Sequence, residues 1–311
     1  MKTEFKIGTR KSKLAQIQTD RVIAQLAAAF PEYRFTKVLM ETKGDLDRKT
    51  DLVQMGGQGV FAKVIQEALL AGALDMAVHS AKDLPSVEPR GLIIGAFPER
   101  LTVTDSLILR EPYQSLADLP VQAVVGTSSR RRRFQLASQR PDLQLRSLRG
   151  NIDTRLEKLV SGEYDAIVMA QAGIKRYGLP IQEKGLHEFP LPLPAFLPAI
   201  GQGAIAVECL EDSAAATLLQ AIDDVKVREA LTCERAFLAV FGLGCNVPLA
   251  GYAEWSTGTN PELHFTGLLG NERTREAIEG ASSTKAGGFS ATELGESVAH
   301  AILEQADFLP E

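Results

Sequence analysis

Cysteine, histidine and long apolar runs are scarce in this 311-residue chain, and each scarcity excludes a class of protein. The three cysteines, Cys209, Cys233 and Cys245, show no CxxC spacing, which argues against a disulfide framework and fits a reducing compartment. No histidine has a cysteine, histidine or carboxylate at metal-ligand spacing, so we expect no metal site. No apolar stretch approaches the ~18 residues that span a bilayer, and the N-terminus shows no apolar signal segment. These absences predict a cytoplasmic protein without a membrane partner.

Positive charge is concentrated in one segment of an otherwise acidic chain. Eight arginines lie between Arg130 and Arg155 against two acids, Asp142 and Asp153, so this segment carries +6 and the remainder −11 of a total of −5. Guanidinium groups stay charged at physiological pH and repel one another unless anions neutralise them. The cluster therefore predicts a polyanionic ligand. A solvated basic face or a nucleic-acid surface is the alternative, but the acidic remainder and the lack of interleaved aromatics argue against nucleic acid.

Strand-like and helix-like segments alternate through the first two thirds of the chain. The first hundred residues predict a parallel α/β layer, and the next set, up to about residue 170, predicts a second α/β unit. The proline-rich segment 190–198 predicts an extended crossing between domains. Beyond about residue 220, a long amphipathic helix, three strands and a helix opened by a capping box at Ser290 and Glu293 predict a small α+β domain.

The basic segment begins where a predicted strand ends. The strand VQAVVG runs into Thr127, Ser128 and Ser129, and the helix that follows starts with four arginines, Arg130 to Arg133. Backbone N–H groups, hydroxyls and guanidiniums converge on this helix N-terminus, which predicts an anion site. Four consecutive arginines cannot all face one way, so one or two should face solvent. The next strand end brings further guanidinium and hydroxyl groups to the same sheet edge: Arg146, Ser147, Arg149 and Arg155.

A second polar group follows the strand MAVHS in the first α/β unit. Lys82 and Asp83 lie at the equivalent sheet edge, where a carboxylate beside an ammonium stays ionised and can stabilise a developing cation or transfer a proton. A Lys-Asp pair at a strand end is also a common ordinary turn, and the residues alone leave both interpretations open. Arg10 and Ser12 would line the same edge, where Ser12 can also cap the following helix.

Two further segments have the composition of functional loops. Cys245 lies in GLGCNVPLAG between a helix and a strand, which predicts an accessible thiol, with a small buried residue as the alternative. Cys209 and Cys233 lie in apolar surroundings and are predicted to be packed core thiols. The glycine-rich stretch from Thr42 to Gly59 shows no sustained period and predicts a lid, with surface disorder as the alternative.

Eight motifs run in one order along the chain: IGTRKSKLAQIQT, ETKGD, HSAKDLP, VGTSSRRR, LRSLRGNIDTRL, YDAIVMAQAGIKR, LPAIGQGAIAVE and GLGCNVPLAGYA. Together they closely resemble the porphobilinogen deaminase family, also called hydroxymethylbilane synthases. The resemblance implies two periplasmic-binding-protein-like α/β domains and a small C-terminal α+β domain with a three-stranded sheet and helices. It implies a first domain at residues 1–100 with a return segment at 199–218, a second at 104–195 and a third at 220–311.

The same resemblance implies an activity and a set of site residues. It implies a monomeric transferase that joins four porphobilinogen molecules head to tail, with loss of four ammonia, and releases hydroxymethylbilane by hydrolysis. The primer would be a dipyrromethane cofactor held by Cys245 through a thioether. Asp83 would be the catalytic carboxylate with Lys82 beside it, both also contacting the cofactor. Other cofactor contacts are implied for Thr127, Ser128, Ser129, Arg131, Arg132, Ser147, Arg149, Gly150 and Arg155. Substrate contacts are implied for Arg10, Ser12, Phe61, Arg149, Arg155 and Arg176.

One departure from the family pattern and two other function classes bear on this interpretation. Gln58 stands in the predicted lid where a lysine is usual, so lid closure would depend less on a carboxylate contact there.

A non-catalytic anion-binding module is one alternative, against which the lack of a DNA-binding helix pair argues. A cysteine-dependent acyl transferase is the other. It predicts a titratable thiol at Cys245, whereas the family resemblance implies a blocked one.

Overall fold

Three β-sheets organise the chain in the computed structural model, which describes residues 2–41, 62–242, 247–285 and 288–307. The strands are β1 (Glu4–Arg10), β2 (Arg34–Met40), β3 (Met76–Ser80), β4 (Leu92–Ala96), β5 (Asp105–Leu109), β6 (Val124–Gly126), β7 (Gln144–Arg146), β8 (Ala166–Ala170), β9 (His187–Leu191), β10 (Ile205–Leu210), β11 (Leu249–Trp255), β12 (Glu262–Gly270) and β13 (Ala277–Lys285). The α-helices are α1 (Lys13–Ala29), α2 (Lys63–Leu70), α3 (Arg130–Gln139), α4 (Ile152–Val160), α5 (Gln171–Tyr177), α6 (Ala214–Leu219), α7 (Val225–Phe241) and α8 (Ala291–Leu303).

The first two sheets are built on the same plan. The first has the strand order β2-β1-β3-β10-β4, and the second has the order β7-β6-β8-β5-β9. In the first sheet β10 runs antiparallel to both its neighbours, and in the second sheet β5 does so. The four strands from the first hundred residues therefore share one direction, as the sequence predicts. The reversed strand in each sheet is the one that the chain forms directly after crossing from the other sheet.

The two crossings lie side by side. Arg100 and Ala204 form an antiparallel bridge, and the backbone N–H of Leu101 donates to the carbonyl of Gly203 at 3.0 Å. A paired double crossing of this kind places the carboxyl ends of β3 and β6 on either side of one cleft, which is where open α/β sheets bind ligands. The predicted fold class is thus confirmed. The boundaries 1–100 with 199–218, 104–195 and 220–311 remain a prediction, which the sheet membership of the strands supports.

The third sheet is antiparallel, in the order β11-β12-β13, and α7 and α8 cover one face of it. Its core is aromatic: the ring of Phe237 on α7 packs edge-on against Phe265 on β12, with ring centroids 5.0 Å apart. The predicted capping box at the start of α8 is present, since Ser290 accepts from the Glu293 backbone and the Glu293 carboxylate accepts from the Ser290 backbone. This helix, sheet and capping pattern is the α+β unit expected from the sequence.

The proline-rich segment takes part in the second sheet as well as in a crossing. Residues His187–Leu191 form the edge strand β9, and β5 is its one neighbour among the described strands. Pro190 is tolerated there because an edge strand leaves one side of its backbone unpaired. The extended conformation was predicted from the sequence, but the sheet membership was not.

Candidate functional site

Two glycines of the return crossing allow its backbone to pack closely against the Lys82 turn and against the other crossing. Gly201 has φ +74°, and a Cβ there would lie 2.9 Å from the backbone nitrogen of Lys82. Gly203 has φ +86°, and a Cβ there would lie 2.7 Å from the carbonyl oxygen of Thr102 on the other crossing. Only glycine combines this backbone conformation with so close an approach. The GQG motif therefore fixes the distance between the crossing and the end of β3.

Lys82 and Asp83 lie in a single 3₁₀ turn, Ala81–Asp83, that follows β3 directly. The ammonium of Lys82 donates to the side-chain carbonyl of Gln202 at 3.3 Å. The pKa of Lys82 is lowered to about 8, because burial and the nearby charge of Arg132 outweigh the opposite effect of Asp83 and Asp105. The ammonium therefore titrates close to neutral pH instead of far above it.

Asp105, at the start of β5, is the buried counter-ion of Arg131 and Arg132, the second and third arginines of α3. Its carboxylate accepts from Arg131 at 2.7 Å and from Arg132 at 2.6 and 3.2 Å. Burial alone would raise the pKa of Asp105, but the charges of Arg131 and Arg132 outweigh it and hold that pKa well below its usual range. One further nitrogen of each guanidinium donates to a backbone carbonyl, Arg131 to Leu197 (2.6 Å) and Arg132 to Val168 (3.1 Å).

Arg155, on α4, belongs to the same electrostatic unit. Its pKa is lowered to about 10, because burial and the charges of Arg132 and Arg149 outweigh the opposite effect of Asp83. Asp83 of the first sheet therefore faces the arginines of the second sheet across the cleft. We use the name cationic cluster for five residues, Lys82, Arg131, Arg132, Arg149 and Arg155. Asp83 and Asp105 are two carboxylates that interact with members of this cluster.

The hydroxyls at the start of α3 form hydrogen bonds within the protein. Ser129 caps the helix by accepting from the backbone of Arg132 at 3.4 Å, and Thr127 accepts from the backbone of Ser129 at 3.2 Å. Ser128 lies 2.8 Å from the hydroxyl of Ser147, and its own hydroxyl donates to the carbonyl of Leu148 at 2.9 Å. The structure thus joins the two strand ends that the sequence predicts to share one sheet edge.

Internal pairing changes the interpretation of the eight arginines. Arg131 and Arg132 bind Asp105, Arg130 pairs with Glu272 at 3.3 Å, and Arg140 pairs with Asp142 at 2.7 Å. The count of +6 considered only acids within the segment, and it overstated the charge left for a ligand because Asp105 and Glu272 come from other parts of the chain. The prediction that some arginines face solvent holds for Arg130, whose side chain is 38% exposed.

Arg10 and Ser12 line a small cavity with Asp83. Its walls also include His79 and Ser80 at the end of β3 and side chains of α1. Its volume of about 70 Å³ is too small for a whole pyrrole ring with its side chains. Ser12 also accepts from the backbone of Ala15 at 3.4 Å, so the predicted helix cap is present. The cavity can take one polar substituent beside the Asp83 carboxylate.

Arg176 lies on α5 at the crossing rather than among the other arginines. Its guanidinium donates to Glu99 at 3.1 Å and to the carbonyl of Gly203 at 2.8 Å. Arg21, on α1, binds the same Glu99 carboxylate through two hydrogen bonds of 3.0 and 2.6 Å. Glu99 therefore joins a helix of the first sheet to a helix of the second. Sequence reasoning did not identify Glu99, Asp105 or Gln202, although the GQG motif was a signal for the last.

Three of the remaining predicted residues lie in segments that the structure does not describe, and the two other cysteines lie in segments that it does. Phe61, Cys245 and Gln58 lie outside the described residues. Cys209 and Cys233 are buried, and burial raises the pKa of Cys209 to about 11 and that of Cys233 further, so both are the packed thiols expected. Within the described ranges there is neither a group of three or more potential metal-binding side chains nor a helix long and apolar enough to cross a membrane.

Comparison with known proteins gives a consistent result along the whole chain. The family model "Porphobilinogen deaminase, dipyromethane cofactor binding domain" matches residues 5–217, and "Porphobilinogen deaminase, C-terminal domain" matches residues 229–304. A porphobilinogen deaminase of Brevibacillus brevis is 41% identical over 303 residues, covering 97% of this chain and 94% of that protein. The Geobacillus kaustophilus protein is 43% identical over 304 residues, covering 96% of each. Among solved structures, the periplasmic VFT2 domain of Bordetella pertussis BvgS aligns at 15% identity with a TM-score of 0.46, covering 75% of this chain and 92% of that one.

Proposed function

This chain belongs to the porphobilinogen deaminase family, and we propose that it joins four porphobilinogen molecules into hydroxymethylbilane with loss of four ammonia. The observation that carries the proposal is the match to both family domains, which together span residues 5–217 and 229–304. The cationic cluster beside Asp83 supplies the charge complementarity that this reaction needs, because each porphobilinogen brings two carboxylates. The proposal includes the monomeric state and the cytoplasmic location expected from the sequence.

The residues present fit a bound dipyrromethane. The cationic cluster lies beside Asp83, and its charge matches a ligand that carries several acetate and propionate groups. Lys82, Arg132, Arg149 and Arg155 would hold those groups, and Cys245 would supply the covalent attachment. When bound, the cofactor supplies the pyrrole from which the chain is extended.

Asp83 would serve the steps in which positive charge develops. When the aminomethyl group of porphobilinogen leaves as ammonia, its C–N bond breaks and positive charge spreads onto the pyrrole nitrogen. A fixed carboxylate stabilises that charge without having to reorganise. After the new carbon–carbon bond forms, the α-carbon must lose its proton, and Asp83 is placed to accept and pass on that proton.

The surrounding cations would orient the reactants. Arg10 and Ser12 line the small cavity beside Asp83, so they would hold one polar substituent of the incoming substrate. Arg149 and Arg155 would hold carboxylates of the growing chain. Fixing both reactants in this way converts a bimolecular step into an intramolecular one, which contributes much of the rate acceleration.

Product stoichiometry tests the proposed function. The purified enzyme is incubated with porphobilinogen, and free ammonia and hydroxymethylbilane are quantified in the same samples. We expect four ammonia for each hydroxymethylbilane, since every addition breaks one C–N bond. Porphobilinogen that stays unconsumed by cofactor-loaded protein, or ammonia release without a tetrapyrrole, would exclude the proposed reaction.

A further inference from the structure

Gln202 is fully buried between the two crossings, and its amide connects the two halves of the site. Its side-chain oxygen accepts from the ammonium of Lys82 at 3.3 Å. Its side-chain nitrogen donates to the carboxylate of Asp105 at 3.0 Å and to the carbonyl of Val103 at 2.7 Å. The Lys82 turn of the first sheet is thus joined through one side chain to the counter-ion of the arginine pair in the second sheet.

The partners of the amide determine its orientation. A lysine ammonium only donates hydrogen bonds, whereas a carboxylate and a backbone carbonyl only accept them. Only one orientation of the Gln202 amide satisfies Lys82, Asp105 and Val103 together. A glutamate at this position could accept from Lys82 but not donate to Asp105, and a methionine of similar size could do neither. Glutamine is therefore the side chain that this position requires.

Charges of both signs face Lys82, and its protonation also depends on its hydrogen bond to Gln202. Asp83 in the same turn and Asp105 on β5 favour the ammonium, while Arg131 and Arg132 on α3 oppose it. Burial also opposes the charged form, and the pKa of Lys82 is lowered to about 8. Removal of the Gln202 side-chain oxygen should therefore change the fraction of Lys82 that is protonated near neutral pH.

We propose that Gln202 is a positioning residue, whose amide keeps Lys82 protonated and fixed while linking it to Asp105. This inference deepens the proposed function and rests on it, since a charged Lys82 serves to hold carboxylates. Gln202 itself need not touch the substrate. Its effect is exerted through Lys82, whose position and charge it controls from within the double crossing.

Two variants at this position should shift the titration of Lys82 in opposite directions. Q202M removes the acceptor and should lower the apparent pKa of Lys82 by about one unit, because a hydrogen bond to a charged group contributes roughly 1.5–3 kcal/mol. Q202E adds a negative charge and should raise it. The measurement is the pH dependence of Lys82 modification by an amine reagent, read by peptide mass spectrometry on the protein as purified. Catalysis gives a second readout: the loss of kcat/KM in Q202M should be smaller at pH 6 than at pH 8.

Gln135 offers a matched control. It is also a buried glutamine, its side-chain nitrogen donates to the carbonyl of Leu197 at 2.9 Å and its oxygen accepts from the Leu197 backbone at 2.7 Å. Q135M therefore removes a comparable amide whose hydrogen bonds go to Leu197 instead of Lys82, and it should leave the Lys82 titration unchanged. If Q202M, Q202E and Q135M share the parent titration, Gln202 is only a structural residue and the inference is wrong. If Q202M does not fold, an unshifted Q202E alone overturns it. Failure of the proposed function is distinguishable, because the amine titration requires no porphobilinogen.

Discussion

Replacing Asp83 by asparagine should reduce porphobilinogen turnover at least about 100-fold while leaving the melting temperature within a few degrees of the parent. The carboxylate lies at the boundary between the two sheets, where it faces both Lys82 and Arg155. Asparagine has nearly the same shape but carries no charge, so it can neither stabilise a pyrrole cation nor accept a proton. Single-turnover rates with cofactor-loaded protein measure the effect directly.

Asp212 provides a charge-matched control for this experiment, because it lies exposed in the turn after β10, away from the cleft. Asp212→Asn removes the same charge and should keep parental rates. An Asp83→Asn protein that is folded, carries its cofactor and turns over within threefold of the parent would remove Asp83 from the mechanism. The Lys-Asp pair would then be the ordinary turn that its sequence also allowed.

Replacing Asp105 by asparagine should have a different result, a large loss of stability. The change leaves Arg131 and Arg132 buried without their shared counter-ion, and breaking a buried ion pair from one side typically costs about 3–5 kcal/mol. Chemical denaturation at pH 7 measures the free energy of unfolding. Asp20→Asn is the control, because the Asp20 carboxylate is 59% exposed and its pair with Lys37 should contribute about 1 kcal/mol or less.

The pH dependence of this stability difference has a definite sign. The folded-state pKa of Asp105 lies below the ordinary aspartate value of 3.8, so its stabilising contribution is present above that value and is lost as the pH falls through the folded pKa. The difference between parent and Asp105→Asn should therefore be constant from pH 5 to 7 and shrink in stronger acid. A difference below 1 kcal/mol at pH 7 would show that the arginine pair does not depend on Asp105.

Local features of this structure could be predicted from the sequence because neighbouring residues determine them. The caps at Ser12 and Ser290 follow from hydroxyl side chains placed before helical periodicity. The strand ends that carry Lys82 and Thr127 follow from apolar runs that stop at polar residues. A count of charges within one window failed where pairing is long-range, since Asp105 and Glu272 neutralise arginines that lie 26 to 142 positions away.

Residues of the double crossing were missed for a related reason. The chain crosses between the sheets twice, at Arg100 and Ala204, and this double crossing brings Gln202, Asp105 and Glu99 into one region of the fold. Apolar alternation does not encode the direction of β5 or β10, so the sequence gives no sign that these side chains meet. The two glycines of GQG are compatible with a tight backbone position, but they do not indicate the partner of the glutamine.

The intact mass of the purified protein, compared with that of the Cys245→Ser variant, tests the central claim most directly. We expect the parent to exceed its sequence mass by two porphobilinogen units less two ammonia, and the Cys245→Ser protein to lack this excess. Cys209→Ala, which changes a buried thiol, should retain it. A parent protein that has only its sequence mass, and stays unmodified after incubation with porphobilinogen, would contradict both the covalent cofactor and the polymerisation reaction assigned to this chain.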